Sequence, residues 1–282
     1  MKKNLIIKKP TSSGQRGKIN VLLSLTSGKV PKAAKKQLTT SLKRKGGRNN
    51  KGRLTVYTKG GGHKRRYRAV DFKRNTFTNG TVERIDYDPN RSALLALIKG
   101  ENKQFSYILA PEGLKIGEKV GIGSNASISL GSAKKLKNLP IGALIHNIEG
   151  RPGEGGKYLR SAGSWGRLMS KTAKGVIVRF KSKALYMFPL ESMASLGIVG
   201  NISHSSCKIG KAGSSRWMGR RPVVRGVAIN PVDHPHGGGE GKTSGGKPSR
   251  SPWGWHTKGP KTSSKKRKKN IISLTYLKKR TA

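Results

Sequence analysis

The placement of a few acidic residues limits most strongly how this chain can fold. Of its 282 residues, 60 are Lys or Arg and 12 are Asp or Glu, so the formal net charge is +48. All the acids lie between Asp71 and Glu240, and the two flanking segments hold 21 and 13 basic residues without any acid. Such segments repel themselves and cannot collapse alone in water. We therefore expect a moderately basic folded body with two basic arms that become ordered against a polyanion.

Nucleic acid is the polyanion that fits this charge best. A basic amphipathic membrane binder is the competing interpretation, and it is disfavoured because the charge is spread along the chain and not set on one helical face. No apolar run approaches the ~18 residues of a membrane span, so we expect no membrane partner. The single cysteine, Cys207, excludes an internal disulfide framework and a Cys-rich zinc site.

Short alternating segments separated by turns predict a mostly β chain with little helix. Residues 54–130 contain several, beginning at 54–58 and ending at 126–130, and predict an OB-fold RNA-binding domain. A second β-rich run at 131–209 predicts an SH3-like barrel, in which 191–196 could form a turn or two of helix. Residues 1–53 are a basic N-terminal extension of loop composition. Residues 210–282 are predicted to be an extended Gly-, Arg- and Trp-rich basic tail.

Residues 59–68, Lys-Gly-Gly-Gly-His-Lys-Arg-Arg-Tyr-Arg, are the strongest candidate binding motif. Glycine allows the backbone to approach a phosphate because no Cβ intervenes. The basic side chains supply charge and bidentate donors, and Tyr67 supplies a stacking face. Residues 210–221 interleave Arg and Trp with Gly in the same way. Neither region matches a DNA-reading helix or a zinc finger, so irregular basic loops favour RNA over DNA.

Residues 233–243 contain residue types that other proteins use for chemistry. His234 and His236 could hold a metal or act as acid and base, but no further Cys or His lies nearby in sequence to complete a tetrahedral shell. Residues 239–243 resemble the end of a phosphate-binding loop, yet His236 stands where that motif needs glycine. A loop stiffened by proline, whose imidazoles stack on bases or bond phosphates, is the favoured interpretation. We expect no enzyme activity, no catalytic residue and no metal site.

Several of these motifs together resemble one protein family, the universal large-subunit ribosomal protein L-two. Its first domain is similar to residues 46–50, 60–64, 70–74, 83–91 and 107–111 of this chain. Its second domain is similar to residues 145–148, 160–163, 210–213 and 216–217. Its terminal extension is similar to residues 221–226 and 230–241. The last motif, Asn-Pro-Val-Asp-His-Pro-His-Gly-Gly-Gly-Glu-Gly, is long and specific. The resemblance covers about residues 46–260.

The resemblance implies an OB-fold domain, an SH3-like barrel and a tail that reaches towards the peptidyl-transferase region. It implies a structural constituent of the large ribosomal subunit that binds large-subunit rRNA and supports assembly, subunit association and tRNA binding. Neighbouring ribosomal proteins, tRNA and the small subunit are the other expected partners. No cofactor is expected, and Mg²⁺ bridging to rRNA phosphates is left open. Catalysis by His234 or His236, and a free RNA chaperone, are the alternatives.

The residues expected to contact rRNA combine these motifs with the basic residues around them. They are Arg48, Asn49, Asn50, Arg53, Gly60, Gly61, Gly62, His63, Lys64, Arg65, Arg66, Tyr67, Arg68, Lys73, Arg74, Arg91, Arg160, Lys211, Arg216, Trp217, Arg220, Arg221 and Arg225. The loop expected near the peptidyl-transferase centre carries Asn230, Asp233, His234 and His236.

Departures from the family pattern suggest a compartment. Residues 1–45 follow no family motif, residues 157–159 read Lys-Tyr-Leu where Gln-Leu-Ala is usual, and residues 271–277 add an apolar stretch. These differences look organellar, and the absence of an evident transit peptide suits a protein made inside the organelle. We expect the large ribosomal subunit of an organelle matrix, with mitochondrion preferred over plastid or bacterial cytosol.

Overall fold

The computed structural model describes residues 5–22, 31–124, 126–241, 243, 245–259 and 271–272. The described residues are mostly in strands and loops, with two short α-helices, which confirms the prediction of a mostly β chain. The chain divides into two compact units. The first unit comprises residues 1–43, 64–212 and 270–282, and the second comprises residues 44–63 and 213–269. Most of the basic run at 260–282 lies outside the described residues.

The first unit contains all the strands found among the described residues. In chain order they are β1 Leu5–Ile7, β2 Ile19–Val21, β3 Thr39–Ser41, β4 Arg66–Arg68, β5 Asn79–Asp86, β6 Leu95–Gly100, β7 Phe105–Leu109, β8 Lys119–Gly121, β9 Ala133–Lys135, β10 Leu144–His146, β11 Ile148–Glu149, β12 Gly156–Tyr158, β13 Gly166–Thr172, β14 Gly175–Phe180, β15 Leu185–Phe188, β16 Met193–Leu196 and β17 Ile271–Ile272. Helix α1 spans Lys32–Leu38, and α2 spans Ala212–Trp217 at the boundary with the second unit. Short 3₁₀ turns lie at Leu136–Asn138, Ile202–Ser206 and Gly226–Ala228.

A four-stranded antiparallel sheet in the order β7-β6-β5-β8 lies in the N-terminal half of this unit. Strand β6 is buried on both faces: Leu95 and Leu97 pack in one apolar cluster, while Ala96 and Ile98 pack in another. This two-sided burial explains why the strand is an uninterrupted apolar run and not an alternating one. Burial alternates along strand β5, and its buried residues include the charged pair Arg84 and Asp86 as well as Val82.

A seven-stranded antiparallel sheet forms the other large part, in the order β17-β15-β14-β13-β10-β16-β9. Its core combines aliphatic residues from β10, β13 and β14 with Phe188 of β15. Tyr158, Phe180 and Tyr186 pack around Phe188 with ring centroids 4.2–6.2 Å apart. The sheets agree with two β-rich parts, while their assignment as OB-fold and SH3-like barrels stays a prediction, as do the four segment bounds.

Three local sequence predictions are wrong. Residues 54–58 and 126–130 contain no strand, and residues 193–196 form β16 where helix was considered. At 54–58 the backbone bonds to a glycine loop, because Thr55 and Val56 donate to the Gly47 carbonyl. At 193–196 the segment lies between β10 and β9, so tertiary pairing overrides the weak helix preference of Met-Ala-Ser-Leu. Of the described helices, neither is long and apolar enough to cross a membrane.

Candidate nucleic-acid interface

The second unit joins two motifs that stand more than 150 residues apart in the sequence. The Gly60 amide donates to the Gly219 carbonyl at 2.8 Å, and the His63 amide donates to the Trp217 carbonyl at 2.9 Å. The Arg221 amide donates to the Thr58 carbonyl at 2.9 Å. The glycine motif and the Arg/Trp segment therefore form one hydrogen-bonded surface, which we call the paired basic loops (residues 58–63 and 216–221).

Adjacent glycines in the paired basic loops have different surroundings. Gly62 has φ +61°, and a Cβ there would lie 2.7 Å from the Gly219 amide nitrogen and 2.8 Å from the Trp217 carbonyl oxygen. Gly62 is therefore required by the fold itself. A Cβ at Gly61 would meet no protein atom within 4 Å. The Gly61 carbonyl accepts from the Arg44 guanidinium, while the side of Gly61 where a Cβ would lie is open to the close approach of a partner.

The loop before this motif is held by its own backbone. The Asn49 side-chain oxygen accepts from the amides of Lys51 and Arg53, both at 3.0 Å. Asn49 therefore uses its acceptor to fix the turn, while Arg48, Asn50 and Arg53 are exposed. The sequence cannot distinguish Asn49 from Asn50, because either asparagine suits a turn or an RNA contact.

The histidine loop (residues 230–239) is folded tightly on itself. The His234 ring is 9% exposed, and its Nδ1 accepts from the His236 amide at 3.0 Å. The His236 Nε2 accepts from the Arg250 amide at 2.8 Å, and the two rings stack with centroids 5.3 Å apart. A Cβ at Gly226 would collide with the His234 ring. Both imidazoles thus use a lone pair to hold backbone, and a proton on either nitrogen would turn that acceptor into a donor.

Basic side chains dominate the surface of the second unit. Arg216, Arg220, Arg221 and Arg225 are exposed, and Trp217 is 60% exposed. Across the described part of this unit, no Lys or Arg is ion-paired with a carboxylate. An exposed cationic surface whose described Lys and Arg side chains form no ion pair, next to an exposed indole, is suited to phosphates and unstacked bases.

The same unit contains a cavity of about 600 Å³ that the sequence does not reveal. Its lining includes Tyr57, Arg216, Arg221, Val224 and Asp233. Tyr57 is missed because residues 54–58 read as a strand, which assigns the ring to a core. In the structure the Tyr57 side chain is 42% exposed.

In the first unit, a buried carboxylate organises part of the predicted site. Asp88 is fully buried and pairs with the Arg91 Nε at 2.6 Å and, more loosely, with the Arg68 Nη1 at 3.6 Å. Arg65 donates to the Pro89 carbonyl at 2.8 Å. Arg66, on β4, points to solvent, as do Lys64 and the neighbouring Tyr67. The cationic motif at 64–68 is thus divided between residues that shape the loop and residues that face outward.

Two arginines share the ring of Phe72. The Arg160 guanidinium lies 4.1 Å from the ring centroid and that of Arg91 lies 5.5 Å from it. Partial burial lowers the pKa of Arg160, and the nearby Arg91 charge lowers it further. Two cations held this close favour an anion beside them. Phe72 lies in the 70–74 motif that resembles the family, but the sequence does not predict its role as a platform for two arginines.

Arg74, which is predicted to contact rRNA, is buried in this structure. Arg74 is 4% exposed, and its Nη2 donates to the Gly131 carbonyl and to the Ser195 hydroxyl, each at 3.1 Å. Burial lowers the pKa of Arg74 to about 10, partly offset by Asp71. Arg74 therefore links segments of the first unit. Lys73 and Lys211 are exposed.

Comparison with known proteins agrees with this layout. Residues 35–122 match the family profile described as "Ribosomal Proteins L2, RNA binding N-terminal domain", and residues 129–254 match "Ribosomal Proteins L2, C-terminal domain". "Large ribosomal subunit protein uL2m" of Reclinomonas americana is 52% identical over 266 residues, covering 94% of this chain and 95% of the relative.

Bacterial relatives are similar to a nearly equal degree. "Large ribosomal subunit protein uL2" of Parvibaculum lavamentivorans is 49% identical over 275 residues, covering 96% of this chain and 98% of the relative. That of Orientia tsutsugamushi is 50% identical over 246 residues, covering 87% and 88%. With both domain profiles matched in order and this identity sustained along the chain, the chain belongs to the ribosomal protein L2 family.

Proposed function

We propose that this chain is a structural, RNA-binding constituent of the large ribosomal subunit. The observation that carries the proposal is the paired basic loops, in which backbone bonds join two distant motifs into one exposed cationic surface. The family profile of the N-terminal domain is described as RNA binding, and the relatives are named for the large ribosomal subunit. Large-subunit rRNA is therefore the partner proposed.

The contacts proposed for rRNA are the exposed members of the predicted set other than Gly62, which is required by the fold. In the second unit these are Arg48, Asn50, Arg53, Gly61, His63, Arg216, Trp217, Arg220, Arg221 and Arg225, and in the first unit Lys64, Arg66, Tyr67, Lys73, Arg160 and Lys211. Phosphate contacts of this kind position a protein on RNA without reading sequence. Mg²⁺ bridging between phosphates stays part of the proposal. Among the described residues, no three His, Cys, Asp or Glu side chains come together as a metal site.

The histidine loop supports a structural role over a catalytic one. A general acid–base must exchange a proton at its ring nitrogen during the reaction. Here the His234 Nδ1 and the His236 Nε2 both accept from backbone amides. Exchange there would cost the loop the bonds that shape it. We propose that this loop supports subunit assembly and tRNA placement near the peptidyl-transferase centre, without chemistry of its own.

The mitochondrial matrix is the compartment proposed. The similarity to mitochondrial uL2m of Reclinomonas americana supports it, and the close bacterial relatives make bacterial cytosol the alternative. We also propose that the chain supports the association of the two ribosomal subunits and contacts neighbouring ribosomal proteins.

Sedimentation at increasing salt tests the proposal. A ribosomal constituent remains with the large subunit in a sucrose gradient at moderate salt, because many phosphate contacts act together with a fixed site. A free RNA chaperone would leave the particles and spread over all RNA in the lysate. Recovery of the chain only in the ribosome-free fractions at moderate salt would contradict the proposal.

A further inference from the structure

The cavity of the second unit is lined by residues of several chemical kinds, which include His234 of the histidine loop. Arg216 and Arg221 supply cationic groups, Tyr57 and Val224 supply aromatic and aliphatic surface, and Asp233 supplies a carboxylate. Its volume of about 600 Å³ lies within the range of small-molecule sites. No ion pair joins Asp233 to either arginine among the described residues. The charged groups of this cavity are therefore available to a ligand with both an anionic and a polar part.

The walls are fixed by contacts outside the cavity. The Arg221 amide is bonded to the Thr58 carbonyl beside Tyr57, and a Cβ at Gly60 would lie 3.2 Å from the Arg221 Cγ. On the other side, the Asp233 amide donates to the Asn230 carbonyl at 3.0 Å. A preformed cavity loses little entropy when it is filled. A preformed cavity of this kind favours a ligand with few rotatable bonds, because such a ligand also loses little entropy on binding.

We propose that this cavity receives a single unstacked nucleotide of the bound RNA. The Tyr57 ring offers a stacking face for the base, and Val224 offers apolar contact on the rim. The two arginines offer bidentate donors for the phosphate. Asp233 repels phosphate and accepts from a base amino group, so we assign the phosphate to the two arginines and the base to Asp233 and Tyr57.

This inference rests on the proposed function, because it adds a specific subsite to general rRNA binding. The paired basic loops bind backbone phosphates of any sequence, whereas the cavity fixes the register of the protein at one nucleotide. A protein segment is the other chemical class that fits an apolar wall. The two arginines without acidic partners favour the nucleotide over a basic or apolar peptide.

Two neighbouring valines provide a matched test. Val224 lines the cavity and is 61% exposed, while Val223 is 64% exposed and is not among the lining residues. V224W adds bulk at a lining position of the cavity, and V223W adds the same bulk at a position outside the lining. Each full-length variant is titrated with protein-free large-subunit rRNA at fixed salt. We expect V224W to bind at least about fivefold more weakly, the scale of one lost stacked base, and V223W to bind within twofold of the parent chain.

Tyr57 gives a second and independent test. Y57A is expected to weaken rRNA binding at least about fivefold, while Y57F keeps the ring and binds like the parent chain. Y87A is the control, because Tyr87 is 52% exposed and lies outside the cavity. Thermal midpoints of all variants are measured, and the comparison of V224W with V223W decides the question if Y57A lowers the midpoint.

The outcomes separate the inference from the proposed function. Absence of rRNA binding by the parent chain overturns the proposed function and the inference with it. Normal parent binding with V224W equal to V223W overturns the inference alone, and this is also the result expected if the cavity receives a protein segment. The nucleotide subsite is supported if V224W binds weakly while V223W binds normally, and if Y57A binds weakly while Y57F binds like the parent chain.

Discussion

At the scale of single residues, neighbours of the same type do different work in this chain. Gly61 faces open space while Gly62 is enclosed by backbone, and Arg66 faces solvent while Arg74 is buried. Residue type alone predicts the same role for each pair. The difference arises from which backbone or carboxylate lies opposite, and that is set by long-range folding.

The two glycines give the first prediction. Gly62→Ala places a Cβ against the Gly219 and Trp217 backbone at positive φ, so we expect it to lower the free energy of unfolding by roughly 1–3 kcal/mol. Gly61→Ala should leave the thermal midpoint unchanged and weaken rRNA binding, because its Cβ obstructs only a partner. Differential scanning calorimetry and filter binding check both. A Gly61→Ala variant that unfolds early but binds normally would show that Gly61 serves only the fold.

His146 gives a pH prediction for the first unit. Its ring is fully buried with Nδ1 3.0 Å from the Gly197 carbonyl oxygen, and burial lowers its pKa to about 4, aided by the Arg74 charge. The unfolded chain, with a pKa of about 6.5, binds more protons between those values. The contribution of neutral His146 to the free energy of unfolding is therefore fully present above pH 6.5. It is lost as the pH drops towards 4, by about 3 kcal/mol in total.

Urea unfolding at pH 7 and pH 4.5 measures this effect. The variant His146→Gln removes the titrating group, so its stability should change less between the two pH values than that of the parent chain. An equal change in both proteins would show that other groups carry the acid sensitivity.

At the scale of elements, the strands with clear burial were predicted and the segments held by distant partners were not. Strand β6 is apolar on both faces and reads as a buried strand at once. Residues 54–58 read equally well as a strand, yet the Gly47 carbonyl takes their amides. The N-terminal segment reads as loop, although β1 pairs with β2 and β3 pairs with β4. The local pattern of apolar and polar residues in a segment does not reveal which distant strand or carbonyl pairs with it.

Strand β4 and the loop after β5 give a prediction that separates binding from stability. Arg66→Gln should leave the thermal midpoint unchanged and reduce the salt slope of rRNA binding by about one, the value for one phosphate contact. Arg91→Gln removes the 2.6 Å pairing of the buried Asp88 and should cost about 1.5–3 kcal/mol of stability. The two midpoints and the two salt slopes check this. Identical behaviour of both variants would contradict the division of roles.

The histidine loop gives the next prediction. His236→Gln retains an acceptor for the Arg250 amide, so assembly and tRNA placement should be nearly normal. His236→Leu removes the acceptor and should reduce subunit assembly, tRNA placement or both. Single-turnover peptide transfer is measured on fully assembled mutant ribosomes. A loss of about a hundredfold in the His236→Gln ribosomes, with normal tRNA occupancy, is the scale of a lost acid–base and would support the catalytic alternative.

At the scale of the whole molecule, charge was the most informative sequence feature. The segregation of 12 acids into the middle of the chain predicts a polyanion partner before any motif is considered. The glycine motif and the Arg/Trp segment were both identified from sequence. Their backbone pairing was not, because nothing local at Gly60 points to Gly219. The cavity beside Tyr57 was missed for the same reason, since its walls come from segments far apart in sequence.

A map of RNA crosslinks on the chain within isolated large subunits tests whether the paired basic loops and the residues beside them contact rRNA. Ultraviolet irradiation, digestion and mass spectrometry locate the crosslinked peptides. We expect crosslinks concentrated in residues 58–68 and 216–225, where exposed basic and aromatic side chains lie beside glycines in the sequence. Crosslinks absent from both regions, in subunits that contain the chain at full occupancy, would contradict it.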